Sequence, residues 1–328
     1  MCTIILVFFE GLCNIAFVLK SLHRPLAERV HTRYDELLGW VNIPNIFLKN
    51  MYGDGVYLRT NSRGFRSNVD FAASVPEGKT RIICSGDSFT LGYGVDNDHT
   101  WCRLLAFIDT RLETVNMGQG GYGIDQAYLW YMRDGIKLDH QIHMFAVIGG
   151  DFYRSGDSFL GYGKPYFKMQ NNSLVLCNVP VPKRPFHVPW LTENIEGIKS
   201  FRTVWMLRGI YNKLLPAQKK SRVSNQSNAD ERAIALKIFS NLAGTNKLKQ
   251  SMLIIVYLPI MADLENCGNS SSDLRNFLNS ELPKRGLLYM DLVDDFKNLS
   301  KEELGKMFID DLKYPFSKGH YSVKGNQY

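Results

Sequence analysis

From Thr80 onward the chain alternates two kinds of apolar pattern. Short, nearly unbroken runs such as "RIICSG" (Arg81–Gly86), "ETVNMG" (Glu113–Gly118) and "IHMFAVIGG" (Ile142–Gly150) have the length of strands. Between them, apolar residues recur at helical spacing: Trp101, Leu104, Leu105, Ile108 and Leu112 in one stretch, then a helix that Asp125 is expected to open as its N-cap. The rhythm breaks between Phe152 and Ala229 and then resumes with a helix around "ERAIALKIFSNLAG", the strand "SMLIIVYLP", a helix around "SDLRNFLNSEL" and the strand "GLLYMDL". Strand-helix alternation of this kind predicts an α/β protein: a parallel sheet with helices on both faces, in three layers.

The interruption reads as an insertion at about 152–229. Within it, "KPYFKMQNNSLVLCNVPVPKRP" alternates apolar and polar residues around Asn171-Asn172, the signature of a hairpin. "PAQKKSRVSNQSNAD" (Pro216–Asp230) is polar enough to be expected as a mobile loop. Residues 21–78, rich in Gly, Pro and Asn, read as a lead-in of short strands and turns, and 79–328 as the main domain. No repeat of fixed period is present. Residues 1–20 are apolar apart from Glu10, Asn14 and Lys20, about the length that crosses a bilayer, so a hydrophobic membrane anchor is expected there. Lys20, Arg24 and Arg29 lie at its end and beyond and, by the positive-inside rule, would hold the remainder in the cytoplasm, against the extracytoplasmic location expected below, so the orientation stays open.

Composition removes several classes of function. The 328 residues are 45% hydrophobic and 22% charged, a globular balance. The net charge of +7 is spread along the chain without a basic stripe, which argues against nucleic acid as a partner. Six cysteines lie far apart with no C-x-x-C spacing, which argues against a zinc site and a disulfide framework. No metal and no cofactor is expected.

The chemistry is concentrated where strands end. In "RIICSGDSFTLGYGV" (Arg81–Val95) a strand runs into Gly-Asp-Ser, which places Ser88 at the carboxyl end of the first sheet strand, where open parallel sheets gather their catalytic groups. Taken alone, Gly-Asp-Ser is also an ordinary turn. The second strand ends in "VNMGQGGYG" (Val115–Gly123), the third in "VIGGD" (Val147–Asp151), and the last turn-rich segment carries "SKGH" (Ser317–His320). The tripeptide returns at "SGDSFLGYG", but Ser158 there follows no apolar strand, so a polar loop is the reading preferred over a rival nucleophile. His99, His140, His143 and His187 are expected to be packing or surface groups. The aromatic residues of the insertion, Phe152, Tyr153, Phe159, Tyr162, Tyr166, Phe167, Phe186 and Trp190, are read as hairpin packing in preference to a sugar-stacking cleft.

With these four blocks in this order, the chain resembles the SGNH (GDSL) hydrolase superfamily over about Thr80–Gln327. The lead-in "LGW" and "TNSRGFR" and the hairpin are similar to bacterial membrane-attached members. The resemblance implies a flavodoxin-like parallel sheet and a serine nucleophile at Ser88, whose amide also serves the oxyanion hole. It implies an oxyanion amide at Gly121 and a base at His320. It also exposes two departures. The oxyanion asparagine of the third block is replaced by Gly150 or Asp151, and the triad aspartate falls on Ser317, whose hydroxyl would accept from the imidazole unless Asp310 or Asp311 folds back. Only eight residues follow His320, where the resemblance implies a closing helix, so a truncated frame or a degraded copy is expected. The resulting expectation is a membrane-anchored, extracytoplasmic esterase or acyltransferase acting on an O-acetyl group of a cell-surface carbohydrate. The alternative is a catalytically impaired glycan-binding module.

Overall fold

The computed structural model describes residues 2–23, 30–160, 162–182, 201–204, 206–207, 210, 217–264, 269–310 and 317–328. It contains two compact units, one made of Met1–Val41 and Gly156–Ile234, the other of Asn42–Ser155 and Ala235–Tyr328.

In the second unit five strands, β1 (Thr80–Gly86), β2 (Leu112–Gly118), β3 (Ile142–Val147), β4 (Met252–Tyr257) and β5 (Leu288–Asp291), form one parallel sheet in the order 2-1-3-4-5. Alternate side chains leave opposite faces. Ile82, Cys84, Ile142 and Met144 pack against Cys102 and Leu105 of helix α2 (Trp101–Ile108). Phe145 points to the other face and meets Phe239 of the long helix Ala217–Leu248, ring centroids 6.0 Å apart. Helices therefore cover both faces, and the architecture is the expected three-layer α/β/α sandwich. The strand order carries the functional consequence. From β1 the chain goes first to β2 on one side and later to β3 on the other, so the crevice beyond the carboxyl end of β1 is the topological switch point. Helix α1 (Ser88–Leu91) starts there.

Local expectations fail in instructive places. Leu112 begins β2 instead of ending α2, because Asp109 closes a turn by accepting from the Leu112 amide at 2.9 Å. The N-cap of α3 (Ile124–Arg133) is Gly123, and Asp125 sits in the first turn, accepting from the Gln126 amide at 2.8 Å. The segment expected as a mobile loop is helical from Ala217. From Ala217 there is neither Pro nor Gly before Gly244, so nothing there interrupts the helix that continues to Leu248. A five-residue helix, Val323–Gln327, follows His320 where a closing helix is implied.

In the first unit, Tyr166–Gln170 and Ser173–Cys177 pair antiparallel as the anticipated hairpin. Its turn residues Asn171 and Asn172 take φ of 49° and 59°, a left-handed pair that asparagine tolerates and that matches strand twist. Phe159, Tyr162, Tyr166 and Phe167 are buried, whereas Phe186 and Trp190, like His187, lie outside the described residues.

The leader forms the helix Cys2–His23. Glu10 at its middle is buried and accepts from the Arg202 and Thr203 amides and the Thr203 hydroxyl, each at 2.8 Å. Among the described residues no helix is long and apolar enough to cross a membrane, which corrects the expected anchor at 1–20. The polar centre of this helix is engaged by protein hydrogen bonds, a use that a purely lipid-facing segment does not have. Arg24 and Arg29 lie outside the described residues.

Candidate active site

Within Arg81–Tyr93 every residue is buried except Ser88. The backbone around it is packed too tightly for side chains. A Cβ on Gly86 would meet Thr90 Oγ1 at 2.2 Å, and one on Gly118 would meet the Leu91 amide nitrogen at 2.0 Å. The glycines of "CSGDS" and "NMG" thus let the ends of β1 and β2 close on the serine helix. Asp87 caps that helix, its Oδ1 accepting from the Phe89 amide at 2.8 Å. Asn116 fixes the other side, donating from Nδ2 to the Thr90 carbonyl at 2.8 Å.

Arg66, from the lead-in "TNSRGFR", holds the exit of the same helix. Its buried guanidinium donates to the carbonyls of Leu91 and Gly92, both at 2.6 Å, to the carbonyl of Val95, and through Nε to Asn97 Oδ1 at 2.9 Å. Arg66→Met leaves these buried acceptors bare and is expected to cost about 3 kcal/mol of stability or more. A urea midpoint unchanged within error would show that the carbonyls find other donors.

His320 comes from the far end of the chain to meet Ser88, with Nε2 at 2.8 Å from Oγ. The imidazole lies between Phe89 and Tyr93, with ring centroids at 4.9 and 5.2 Å. Its Nδ1 is 3.1 Å from the Ser317 main-chain carbonyl. A carbonyl only accepts, so Nδ1 carries the proton and Nε2 presents its lone pair to the Ser88 hydroxyl. Burial pushes the His320 pKa below its ordinary 6.5, opposed by the charge of Asp87 and the Ser317 carbonyl and reinforced by Arg154. The ring is consequently neutral at neutral pH, in the state a general base requires.

The expected role of the Ser317 hydroxyl is corrected by this arrangement, since the atom that meets Nδ1 is the carbonyl. The buried Ser317 side chain instead lies where a Cβ on Gly94 would touch its Cβ at 2.8 Å. Asp310 is exposed and pairs with Lys318 at 2.5 Å, and Asp311 lies outside the described residues.

Of the two candidates for the asparagine position, Asp151 brings a side chain into the cluster beside Ser88. It lies on α4 (Gly149–Arg154), is buried, and accepts at Oδ2 from the Ile148 amide at 3.0 Å. Gly150 contributes only backbone, and a Cβ there would meet Arg154 Nη2 at 2.9 Å. Gly121 takes φ of 78° in the loop after β2, a left-handed conformation that suits glycine.

Arg154 is the residue that sequence reasoning passed over. Its Nη1 donates to the Tyr122 carbonyl at 2.7 Å and to Asp87 Oδ2 at 3.3 Å, and lies 3.0 Å from Asp151 Oδ1. The only hint of it in the sequence is the Asp151–Arg154 spacing of three on a short helix.

The rival serine behaves differently. Ser158 lies in the first unit, where its carbonyl accepts from the Lys164 amide at 3.0 Å and from Asn178 Nδ2 at 3.3 Å, closing a turn. A second serine–histidine contact, Ser85 Oγ to His143 Nε2 at 2.9 Å, lies inside the sheet. Ser85 is 1% exposed and His143 not at all, and Tyr131 stacks on the ring at 3.8 Å, so this pair is packing. His140 Nδ1 donates to the Leu138 carbonyl at 2.8 Å, and His99 Nδ1 pairs with Asp96 Oδ2 at the same distance.

Strand order, the switch-point serine and the meeting of Ser88 with His320 decide the architecture. The fold is a three-layer α/β/α sandwich around a parallel sheet of order 2-1-3-4-5. No family model matches the sequence, and no curated protein does. Among solved structures, a member of the lipolytic protein G-D-S-L family from Veillonella parvula DSM 2008 is 12% identical, with 76% of this chain and 92% of that one covered and a TM-score of 0.40. The acetyl xylan esterase AlAXEase is 14% identical, with 75% and 94% covered and a TM-score of 0.40. An acetyl-xylooligosaccharide esterase from Geobacillus Stearmophilus is 10% identical, with 77% and 90% covered and a TM-score of 0.38. Likeness at this distance says nothing about chemistry, which rests on the site itself.

Proposed function

We propose that the chain is a serine esterase of the SGNH type, and the observation that carries this reading is the 2.8 Å contact of Ser88 Oγ with the lone-pair nitrogen of His320. As Oγ attacks the acyl carbon, Nε2 takes its proton, and the oxyanion forms near the Ser88 and Gly121 amides. The protonated ring then passes its proton to the leaving alcohol, and the acyl-enzyme is released by water. A sugar hydroxyl in place of water makes the same site an acyltransferase. The substrate class we favour is an O-acetyl ester on a cell-surface carbohydrate, with the domain on the extracytoplasmic side, on the strength of the resemblance alone. A reporter fused at Val30 checks the location, and a cytoplasmic signal removes the surface substrate.

A fluorophosphonate probe tests the chemistry. Ser88 is the expected site of modification, labelling vanishes in Ser88→Ala, and Ser158→Ala labels as the parent does. One observation favours a second reading: the histidine's partner is a neutral carbonyl where the family has an acid. A folded protein that never labels would therefore assign it to a glycan-binding module with an impaired site.

A further inference from the structure

Two carboxyl groups lie buried beside the nucleophile with one cation between them. Asp87 and Asp151 are each 2% exposed, and the same Arg154 nitrogen, Nη1, lies 3.3 Å from Asp87 Oδ2 and 3.0 Å from Asp151 Oδ1. That nitrogen has two hydrogens, and both are committed, to the Tyr122 carbonyl at 2.7 Å and to Asp87 Oδ2. Asp151 Oδ1 is left buried without a hydrogen bond in spite of its closeness to the cation. An ionised oxygen in that position is costly, because it has neither water nor a donor. A protonated one needs no donor and becomes one itself. Asp87 is placed differently. Its Oδ1 is held by the Phe89 amide at 2.8 Å, its Oδ2 by Arg154, and Oδ2 is 3.4 Å from Ser88 Oγ.

We propose that Asp151 and Asp87 hold a single proton between them, carried on Asp151 Oδ1, so that Asp87 alone bears the negative charge beside Ser88 and supplies the electrostatic partner of the His320 imidazolium that the Ser317 carbonyl does not provide. Two carboxyl groups sharing one buried site do not both ionise, and the one whose two oxygens both have donors keeps the charge. Burial and the neighbouring Asp87 charge indeed drive the Asp151 carboxyl well above the usual carboxylate range, with Arg154 opposing. The other groups facing the pair fit the same assignment. Arg154 stays charged against its burial, supported by the charge of Asp87 and, behind it, Asp125, while the Tyr321 phenol is held neutral by burial. The missing triad charge is thus displaced from the Nδ1 side of the ring to the turn that carries the nucleophile. The inference rests on the esterase reading for its catalytic meaning, but the charge arrangement can be measured without any turnover.

The test is a proton NMR titration of the His320 ring in the full chain and in three variants. Asp87→Asn keeps a side chain competent to cap α1 and removes the charge, so the His320 pKa falls. Asp87→Glu keeps the charge and restores most of that fall. Asp151→Asn replaces one neutral group by another and leaves the His320 pKa where it was. Fluorophosphonate labelling of Asp87→Asn at neutral pH slows by roughly tenfold, since about one unit of charge interaction is lost in the transition state. A His320 pKa unchanged in Asp87→Asn overturns the proposal, and a fall in Asp151→Asn equal to that in Asp87→Asn shows that Asp151 is the ionised member and overturns the assignment. If the protein labels with no probe, the esterase reading fails and the titration still decides where the proton resides.

Discussion

His320→Ala lowers the rate at which Ser88 is acylated by a small acetyl ester by about 10²- to 10⁴-fold at neutral pH. The serine hydroxyl is unreactive until a base takes its proton, and the group at 2.8 Å from Oγ with a free lone pair is His320 Nε2. The pH profile carries a second signature. Because burial depresses the His320 pKa, the ring is neutral and competent above its folded pKa, and the rate falls as pH drops through that value. The acid limb is therefore expected with its midpoint below 6.5 and is absent in the alanine variant. Steady-state rates over the acid and neutral range measure both. A variant that keeps the parent's rate, or an acid limb centred above 6.5, is incompatible with His320 as the base.

Asp151→Asn is expected to act in the opposite direction, raising turnover on the same ester by about 10²-fold, the scale of a single oxyanion donor. A protonated carboxyl has one hydrogen, and in the arrangement argued above that hydrogen points at Asp87. An amide has two. With its oxygen taking over the contact to the Ile148 amide, which Asp151 Oδ2 now accepts at 3.0 Å, the nitrogen keeps one hydrogen for Asp87 and has another for the developing oxyanion. The gain belongs in kcat with little change in KM, since the donor is used only when charge develops. A rate equal to or below the parent's would mean that the side chain at this position does not reach the oxyanion, and that the Ser88 and Gly121 amides are its only donors.

The parallel sheet was legible because strands buried on both faces leave unbroken apolar runs, and "RIICSG" and "IHMFAV" are such runs. Ser88 was legible because its glycines have no room for a side chain, a constraint that writes itself into sequence as Gly-Asp-Ser after a strand. His320 was found through block order in the resemblance, since periodicity by itself does not connect residues 232 positions apart. Helix limits were less legible. Polar Pro216–Asp230 reads as a loop by composition although no helix breaker follows Pro216, and Asp125 reads as a cap because Gly123, which caps α3 through its backbone, has no side chain to announce it.

Sequence alone therefore determined the α/β class, the hairpin at Asn171-Asn172 and the position of the candidate nucleophile Ser88, each set by local spacing or by a backbone that only certain residues allow. Tertiary structure decided what lies within hydrogen-bonding distance of what. It put a carbonyl of Ser317 at His320 Nδ1, tied Arg66 to the end of the serine helix, and placed Arg154 against both Asp87 and Asp151. Hydrogen bonds and buried charges depend on distances of a few ångströms between residues remote in the chain, and whether a carboxyl keeps its proton depends on the solvation and charges it finds there.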